Sequence, residues 1–228
     1  KLISDNLEIQ RSLSSSDDNV IFLEDYSYLI ASYLNLYEST FDYNLIDKAD
    51  KLLKKALSIF EHSKSPFLRF SSDQSLFFSE NLFVNQDGVM PSANSIMSKN
   101  LFLLSHYTGN REYFDIGKSM IDAITNELVE NTLDYMNWLN VALDYNDEFF
   151  EVVISGKNSF KMAKEIQTNY FPNILIAASK KDSNKYLLKN RYIKGENLIY
   201  VCVNNTCKFP VDNVKEALKL ITKNDEKI

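Results

Sequence analysis

Residues 23–41 read LEDYSYLIASYLNLYESTF, and the spacing of the apolar side chains in this stretch decides the fold. Tyr26, Leu29, Ile30, Tyr33, Leu34 and Tyr37 recur at steps of three and one, the stripe of an amphipathic helix. After a turn at 40–43 a second stripe follows at Leu45, Ala49, Leu52, Leu53, Ala56, Leu57 and Phe60. A third runs through Met97, Leu101, Leu104 and Tyr107, and a fourth through Phe114, Gly117, Ile121, Ile124 and Leu128, with Thr108-Gly109-Asn110 as the turn between them. An offset of 68 positions lays Thr40 on Thr108, Asp42 on Asn110, Ile46 on Phe114 and Leu53 on Ile121. A recurring helical hairpin is the mark of stacked helical pairs, which bury their faces only against neighbours.

Outward from these hairpins the pattern changes twice. Between them, 66–70 and 76–83 are short aromatic runs that read as pairing strands, and 6–13 alternates as a strand ahead of the first helix. Beyond 146, residues 149–154 form a compact apolar strand, Asn158 or Ser159 caps a helix reaching about 170, and Pro172 ends it. Residues 173–178 and 198–203 read as further strands, and Asp212 caps a closing helix through 220. Strand, helix and strand in this order imply a right-handed parallel crossover. The expected fold is therefore mainly α: helical hairpins with short β-hairpin loops over 1–148, then a small α/β subdomain with a short parallel sheet over 149–228.

Composition bounds the function. The 228 residues carry 25 Lys and Arg against 31 Asp and Glu, a net charge of −6, which is not the footprint of a nucleic-acid binder or of a protein bound to anionic membranes. Gly 5 and Pro 4 are too few for a many-stranded β sandwich. No apolar run approaches the roughly 18 residues of a membrane span, and residues 1–10 are not a signal peptide. With only two cysteines the chain lacks a disulfide scaffold of the secreted kind and is expected to be cytoplasmic. It opens on Lys1 rather than Met and reads as a fragment.

Several motifs carry candidate chemistry. Glu24 and Asp25 stand at the start of the first helix beside Tyr26 and Tyr28. The helix dipole favours carboxylates there, and in a cavity such a pair supplies an acid and a base. At the equivalent place in the second hairpin, Pro91-Ser92-Ala93-Asn94-Ser95 combines a helix start with three hydrogen-bonding side chains. Cys202-x4-Cys207 reads as structural thiols, Cys202 lying in an apolar strand, with a disulfide or redox pair or a metal half-site as alternatives. His62 and His106 sit at helix ends and complete no metal site, so no metal or cofactor is expected. Ser155-Gly156-Lys157-Asn158-Ser159 follows a strand and opens a helix, but Glu151 stands where a phosphate loop needs its first glycine. A plain strand-to-helix turn is the reading.

In order along the chain, Leu23-Glu24-Asp25-Tyr26, Asp87-Gly88, Pro91 to Ser95, Thr108-Gly109-Asn110, Glu151 to Gly156, Phe171-Pro172-Asn173 and Tyr200-Val201-Cys202 through Cys207 to Pro210-Val211 resemble the C-terminal part of a thioredoxin-domain-containing family. That family is the one of spermatogenesis-associated protein 20 and its bacterial relatives. The resemblance implies the last hairpins of an (α/α)6 toroid, similar to N-acylglucosamine 2-epimerases and six-hairpin glycosidases, with a C-terminal appendage. Ala93 departs from the family's usual glycine, and neither His62 nor His106 falls where such epimerases keep their catalytic histidines.

The resemblance implies a toroid region that binds or processes a carbohydrate-like ligand. Glu24 and Asp25 would be acid and base, and Tyr26, Tyr28, Ser92, Asn94 and Ser95 would orient the ligand. The alternative is a non-catalytic module that docks a thioredoxin-like redox domain, with Cys202 and Cys207 at its edge. The implied partners are the remainder of a parent chain, a sugar-like molecule and, through apolar surface awaiting the missing hairpins, a second copy. With one side of its pocket open to water, the chain alone is expected to show no turnover.

Overall fold

The structure, a computed structural model, describes residues 3–11, 20–72, 83–204 and 206–222. Its elements up to Asn146 are all helical, and a small mixed sheet with two further helices follows. The chain divides into two compact units.

The first unit comprises Lys1–Tyr37, Asp42–Ser105 and Asn110–Leu143. Its elements are α1 (Leu23–Thr40), α2 (Asn44–Phe60), α3 (Ala93–Thr108), α4 (Arg111–Glu130), a 3₁₀ turn (Thr132–Tyr135) and α5 (Met136–Asn146). Helix α1 buries Leu23, Tyr26, Ser27, Ile30, Leu34 and Tyr37, while Leu29 and Tyr33, at the margin of the expected stripe, are half-buried. Helix α2 buries Leu45, Ile46, Ala49, Leu52, Leu53, Ala56 and Phe60, a clean apolar face opposite a lysine-rich one. Each fully buried Leu, Ile or Phe contributes about 1.5–3 kcal/mol of transfer free energy. The turn before α4 is capped by Asn110, whose side chain accepts from the Glu112 amide at 3.0 Å.

Helix α3 differs from its neighbours, because none of its residues is exposed. Its buried polar side chains are satisfied internally, as burial demands. Asn100 Nδ2 donates to the Ser27 carbonyl of α1 at 2.8 Å, and Ser98 Oγ donates to the Gly117 carbonyl of α4 at 3.2 Å. An interior helix between two amphipathic ones organises this unit.

The second unit comprises Glu38–Phe41, His106–Gly109 and Asp144–Ile228. Strands β1 (Phe150–Ser155), β2 (Ile174–Ser179), β3 (Leu198–Val203) and β4 (Thr206–Cys207) form one sheet in the order β2-β1-β3-β4. Helices α6 (Ser159–Ile166) and α7 (Val214–Thr222) pack side by side against it. The β1–β2 pair is parallel, in register from Phe150↔Ile174 to Ser155↔Ser179. The expected parallel crossover holds for β1 and β2, and the expected short parallel sheet is corrected at β3, which runs antiparallel to β1. Residues 180–197 cross one end of the sheet without a helix, so the chain re-enters from the end at which it left.

Other expectations are corrected locally. Residues 66–70 form no strand, because their amides go elsewhere: Arg69 N to the Phe60 carbonyl at 2.8 Å and Leu68 N to the Asn94 side chain at 2.9 Å. The 76–83 run lies outside the described residues except for Phe83. Residues 3–11 fold as a turn closed by an isolated Ile3–Ile9 pairing with Leu7 at φ 62°, and Ser12 and Leu13 lie outside the described residues. Helix α6 ends at Ile166 rather than near 170, and its Asn158 makes no side-chain cap. Asn213, not Asp212, caps α7, its Oδ1 accepting from the Glu216 amide at 3.0 Å. Cys202 and Cys207 are joined as a disulfide, which corrects the reading as free structural thiols. They are directly opposed in the β3–β4 register, which brings two sulfurs separated by five positions together.

Candidate functional site

A cavity of about 540 Å³ opens in the first unit at the start of α1. Arg11, Glu24, Asp25 and Tyr28 supply its polar wall, and Ile9 and Met90 part of its apolar wall. Glu24 and Asp25 occupy the first turn of α1, where unpaired amides and the helix dipole favour negative charge. Arg11 clamps both. Its Nη2 lies 2.8 Å from Glu24 Oε2 and 3.2 Å from Asp25 Oδ1, and its Nε donates to Asp25 Oδ2 at 3.2 Å. Its guanidinium also stacks 4.4 Å from the centre of the Phe22 ring. Burial works against the charge on Arg11, but the hydrogen bonds to Asp25 and Glu24 outweigh it and hold the guanidinium above its ordinary pKa.

Tyr28 lies on the cavity wall one helical turn beyond Glu24, and its hydroxyl donates to the Pro91 carbonyl at 2.7 Å. Burial, reinforced by the charges of Glu24 and Asp87, raises its pKa. Tyr26 points inward, fully buried, and its hydroxyl donates to the Leu7 carbonyl at 2.7 Å. Burial pushes that phenol up to about 12. Tyr26 thus anchors the 3–11 turn, which carries Ile9 and Arg11 to the cavity.

The structure brings Glu24, Asp25 and Tyr28 together at the cavity; Ser92, Asn94 and Ser95 do not line it. All three are buried. Ser92 Oγ accepts from the Ser95 amide at 3.2 Å, capping α3. Ser95 Oγ donates to Asp87 Oδ1 at 3.0 Å and accepts from Asn137 Nδ2 at 2.8 Å. Asn94 binds the backbone of Leu68 through both ends of its amide. This segment meets the cavity only through Met90 and the Tyr28–Pro91 hydrogen bond.

Three residues that organise this unit carried little signal in the sequence. Arg11 is an isolated cation 14 positions before Asp25. Asp87 accepts from the Ser92 amide at 2.8 Å and the Asn137 amide at 2.9 Å, tying the starts of α3 and α5 together. The sequence marks it only as part of the Asp87-Gly88 motif and as an aspartate shortly before a Pro-Ser helix start. Asp50 accepts from the Tyr113 hydroxyl at 2.7 Å, and burial, with that bond second, raises the phenol's pKa.

The second unit holds two further polar constellations. His106 Nδ1 lies 2.8 Å from Glu151 Oε1, beside the Phe149 ring at 5.3 Å. At the sheet edge, Arg191 Nη2 lies 3.0 Å from Cys207 Sγ and 3.8 Å from Cys202 Sγ. The 155–159 segment is a tight turn: Gly156, at φ 116°, donates to the Ser179 carbonyl at 3.0 Å, and Asn197 Oδ1 takes the Asn158 amide at 2.7 Å. His62 lies just past α2, its Nδ1 accepting from the Lys64 amide at 3.2 Å. Among the described residues no group of three or more metal-ligating side chains converges, and no helix is long and apolar enough to cross a membrane.

No family model matches the chain. It is similar to spermatogenesis-associated protein 20 of Homo sapiens, 24% identical over 213 residues that make up 88% of this chain and 27% of the relative. The proteins of the same name from Mus musculus and Rattus norvegicus are 23% and 24% identical, again over 88% of this chain. The chain thus spans about a quarter of the length of the curated relatives it matches, 27% in each case. This similarity supports the resemblance carried by the ordered motifs.

Proposed function

We propose that the chain is the C-terminal toroid region of a longer, thioredoxin-domain-containing protein, and that its first unit binds a carbohydrate-like ligand without turning it over. The repeat of two helical hairpins around the interior helix α3 supports the toroid reading. The observation that carries the ligand reading is the clamp of Arg11 on Glu24 and Asp25 at the cavity wall.

Acid–base work on a glycosidic bond needs two carboxyls in different surroundings, one kept protonated and one ionised. Here both carboxylates share one guanidinium. What the clamp does offer is a fixed planar set of donors and acceptors. Carboxylate oxygens keep lone pairs for sugar hydroxyls, and the guanidinium has further N–H donors. The faces of Tyr28 and Ile9 provide apolar surface for the C–H side of a sugar ring. Ser92 and Ser95 act one step removed, both binding Asp87 ahead of the Met90–Pro91 segment that Tyr28 grips.

The test is binding to a panel of neutral and amino sugars, followed by ligand-observed NMR, for the wild-type chain and for Asp25→Asn and Arg11→Met. Saturable binding weakened about tenfold or more in both variants, the 1.4 kcal/mol of a lost charge-assisted bond, supports the reading. Binding unchanged in both variants, or no binding by the wild type, would overturn it.

A further inference from the structure

We propose that the Cys202–Cys207 disulfide is a site of thiol–disulfide exchange with a vicinal dithiol, with Cys207 as the sulfur attacked and Arg191 as the group that stabilises the thiolates formed. This inference is independent of the cavity in the first unit.

Three observations carry it. The first is asymmetry: Cys202 is 1% exposed on β3, whereas Cys207 on β4, the last strand of the sheet, is partly open to solvent. The more open residue of the pair is Cys207, and it is the one we assign as the sulfur attacked. The second is Arg191, with Nη2 3.0 Å from Cys207 Sγ and 3.8 Å from Cys202 Sγ. Sulfur in a neutral disulfide is a poor acceptor, so the guanidinium gains little from the oxidised pair. Reduction turns the same contacts into charge-assisted ones, which favours the thiolate. The cation is also held in place: it stacks 4.7 Å from the centre of the Tyr200 ring, and the Arg191 carbonyl accepts from Ser155 Oγ at 2.6 Å and the Tyr200 hydroxyl at 3.1 Å. The third is loop length. The bond joins positions five apart, so it restricts the unfolded chain far less than a bridge between distant segments. A staple would be placed elsewhere.

The exchange balances as follows. One thiolate of the dithiol attacks Cys207 Sγ, the S–S bond breaks, and Cys202 leaves as a thiolate that takes up a proton. The second thiol of the reagent gives up its proton and attacks the reagent sulfur of the mixed disulfide, releasing Cys207 as a thiolate beside Arg191. Two electrons and one proton pass to the chain, the second proton goes to solvent, and the dithiol becomes a disulfide.

The test uses the whole 228-residue chain in buffers of reduced and oxidised dithiothreitol, with the reduced fraction read by alkylation and mass spectrometry. Arg191→Met is expected to shift the equilibrium about tenfold toward the disulfide, the effect of one pK unit in thiolate stability, and Arg191→Lys to restore most of it. The lysine variant keeps a cation should methionine perturb the sheet edge. In single-cysteine chains, Cys207 of Cys202→Ser is expected to react with oxidised glutathione at least about tenfold faster than Cys202 of Cys207→Ser, following its exposure. Equal rates, an equilibrium indifferent to Arg191, or a native disulfide that dithiothreitol reduces only in urea would each overturn the proposal.

Discussion

Asn94 and Leu68 exchange a pair of hydrogen bonds: the Leu68 amide donates to Asn94 Oδ1 at 2.9 Å, and Asn94 Nδ2 donates to the Leu68 carbonyl at 3.0 Å. A side-chain amide on α3 thus serves the 66–70 segment as a neighbouring strand would. The segment has its partner without becoming a strand.

Asn94 is 1% exposed, so Asn94→Ala leaves a buried amide and a buried carbonyl of Leu68 without partners. Each such loss costs about 1–3 kcal/mol, and a total of about 2–5 kcal/mol is expected. The urea midpoint measures it. A change below about 0.5 kcal/mol, the range of an ordinary surface substitution, would show that the exchange contributes nothing net.

The chain is expected to lose stability in alkali partly through Tyr26. Its phenol is raised from 10.0 to about 12 in the folded state, first by burial. Its contribution is complete below the unfolded value near 10 and falls as pH rises toward 12, because the unfolded chain then releases a proton that the folded chain retains. Tyr113, also raised, acts in the same direction. Tyr26→Phe should cost about 1 kcal/mol at neutral pH through the lost bond to Leu7, while its urea midpoint falls less between pH 10 and 12. Parallel pH profiles for the two chains would contradict this.

Gly156→Ala tests whether 155–159 is a structural turn. The residue sits at φ 116°, and an added Cβ would overlap the Glu196 carbonyl oxygen, a backbone atom that cannot swing away. A loss of at least about 2 kcal/mol is expected from backbone strain plus the clash. Thermal unfolding reads it; a midpoint equal to wild type would mean that the 196–197 segment moves aside freely.

The helices were legible because their signal is local. A buried face at helical spacing is written in Leu45, Ala49, Leu52, Leu53, Ala56 and Phe60 whatever surrounds them. The 68-residue repeat announced both hairpins in the same way. Strands 150–155, 174–179 and 198–203 were legible as compact apolar runs, and the strand-helix-strand order gave the parallel β1–β2 pair, yet the direction of β3 was not legible. Direction depends on which end of the sheet the 180–197 connection crosses, and no residue in β3 records that.

The site was only half legible. Glu24, Asp25 and Tyr28 meet at one cavity because one helical turn carries all three, a relation readable from spacing. That Arg11 closes over the carboxylates, that Asp87 ties α3 to α5, and that Asn94 turns toward Leu68 all depend on segments distant in sequence. Cys202 and Cys207 show the same division: their spacing allowed a free pair, a metal half-site or a bridge. Only the β3–β4 register, which sets them directly opposite, decided for the disulfide. The sequence by itself determined the periodic faces and helix starts, since these follow from neighbours within a turn or two. Tertiary structure alone decided the polar partners, because a charge or an amide accepts any complementary group that the fold brings within hydrogen-bond distance.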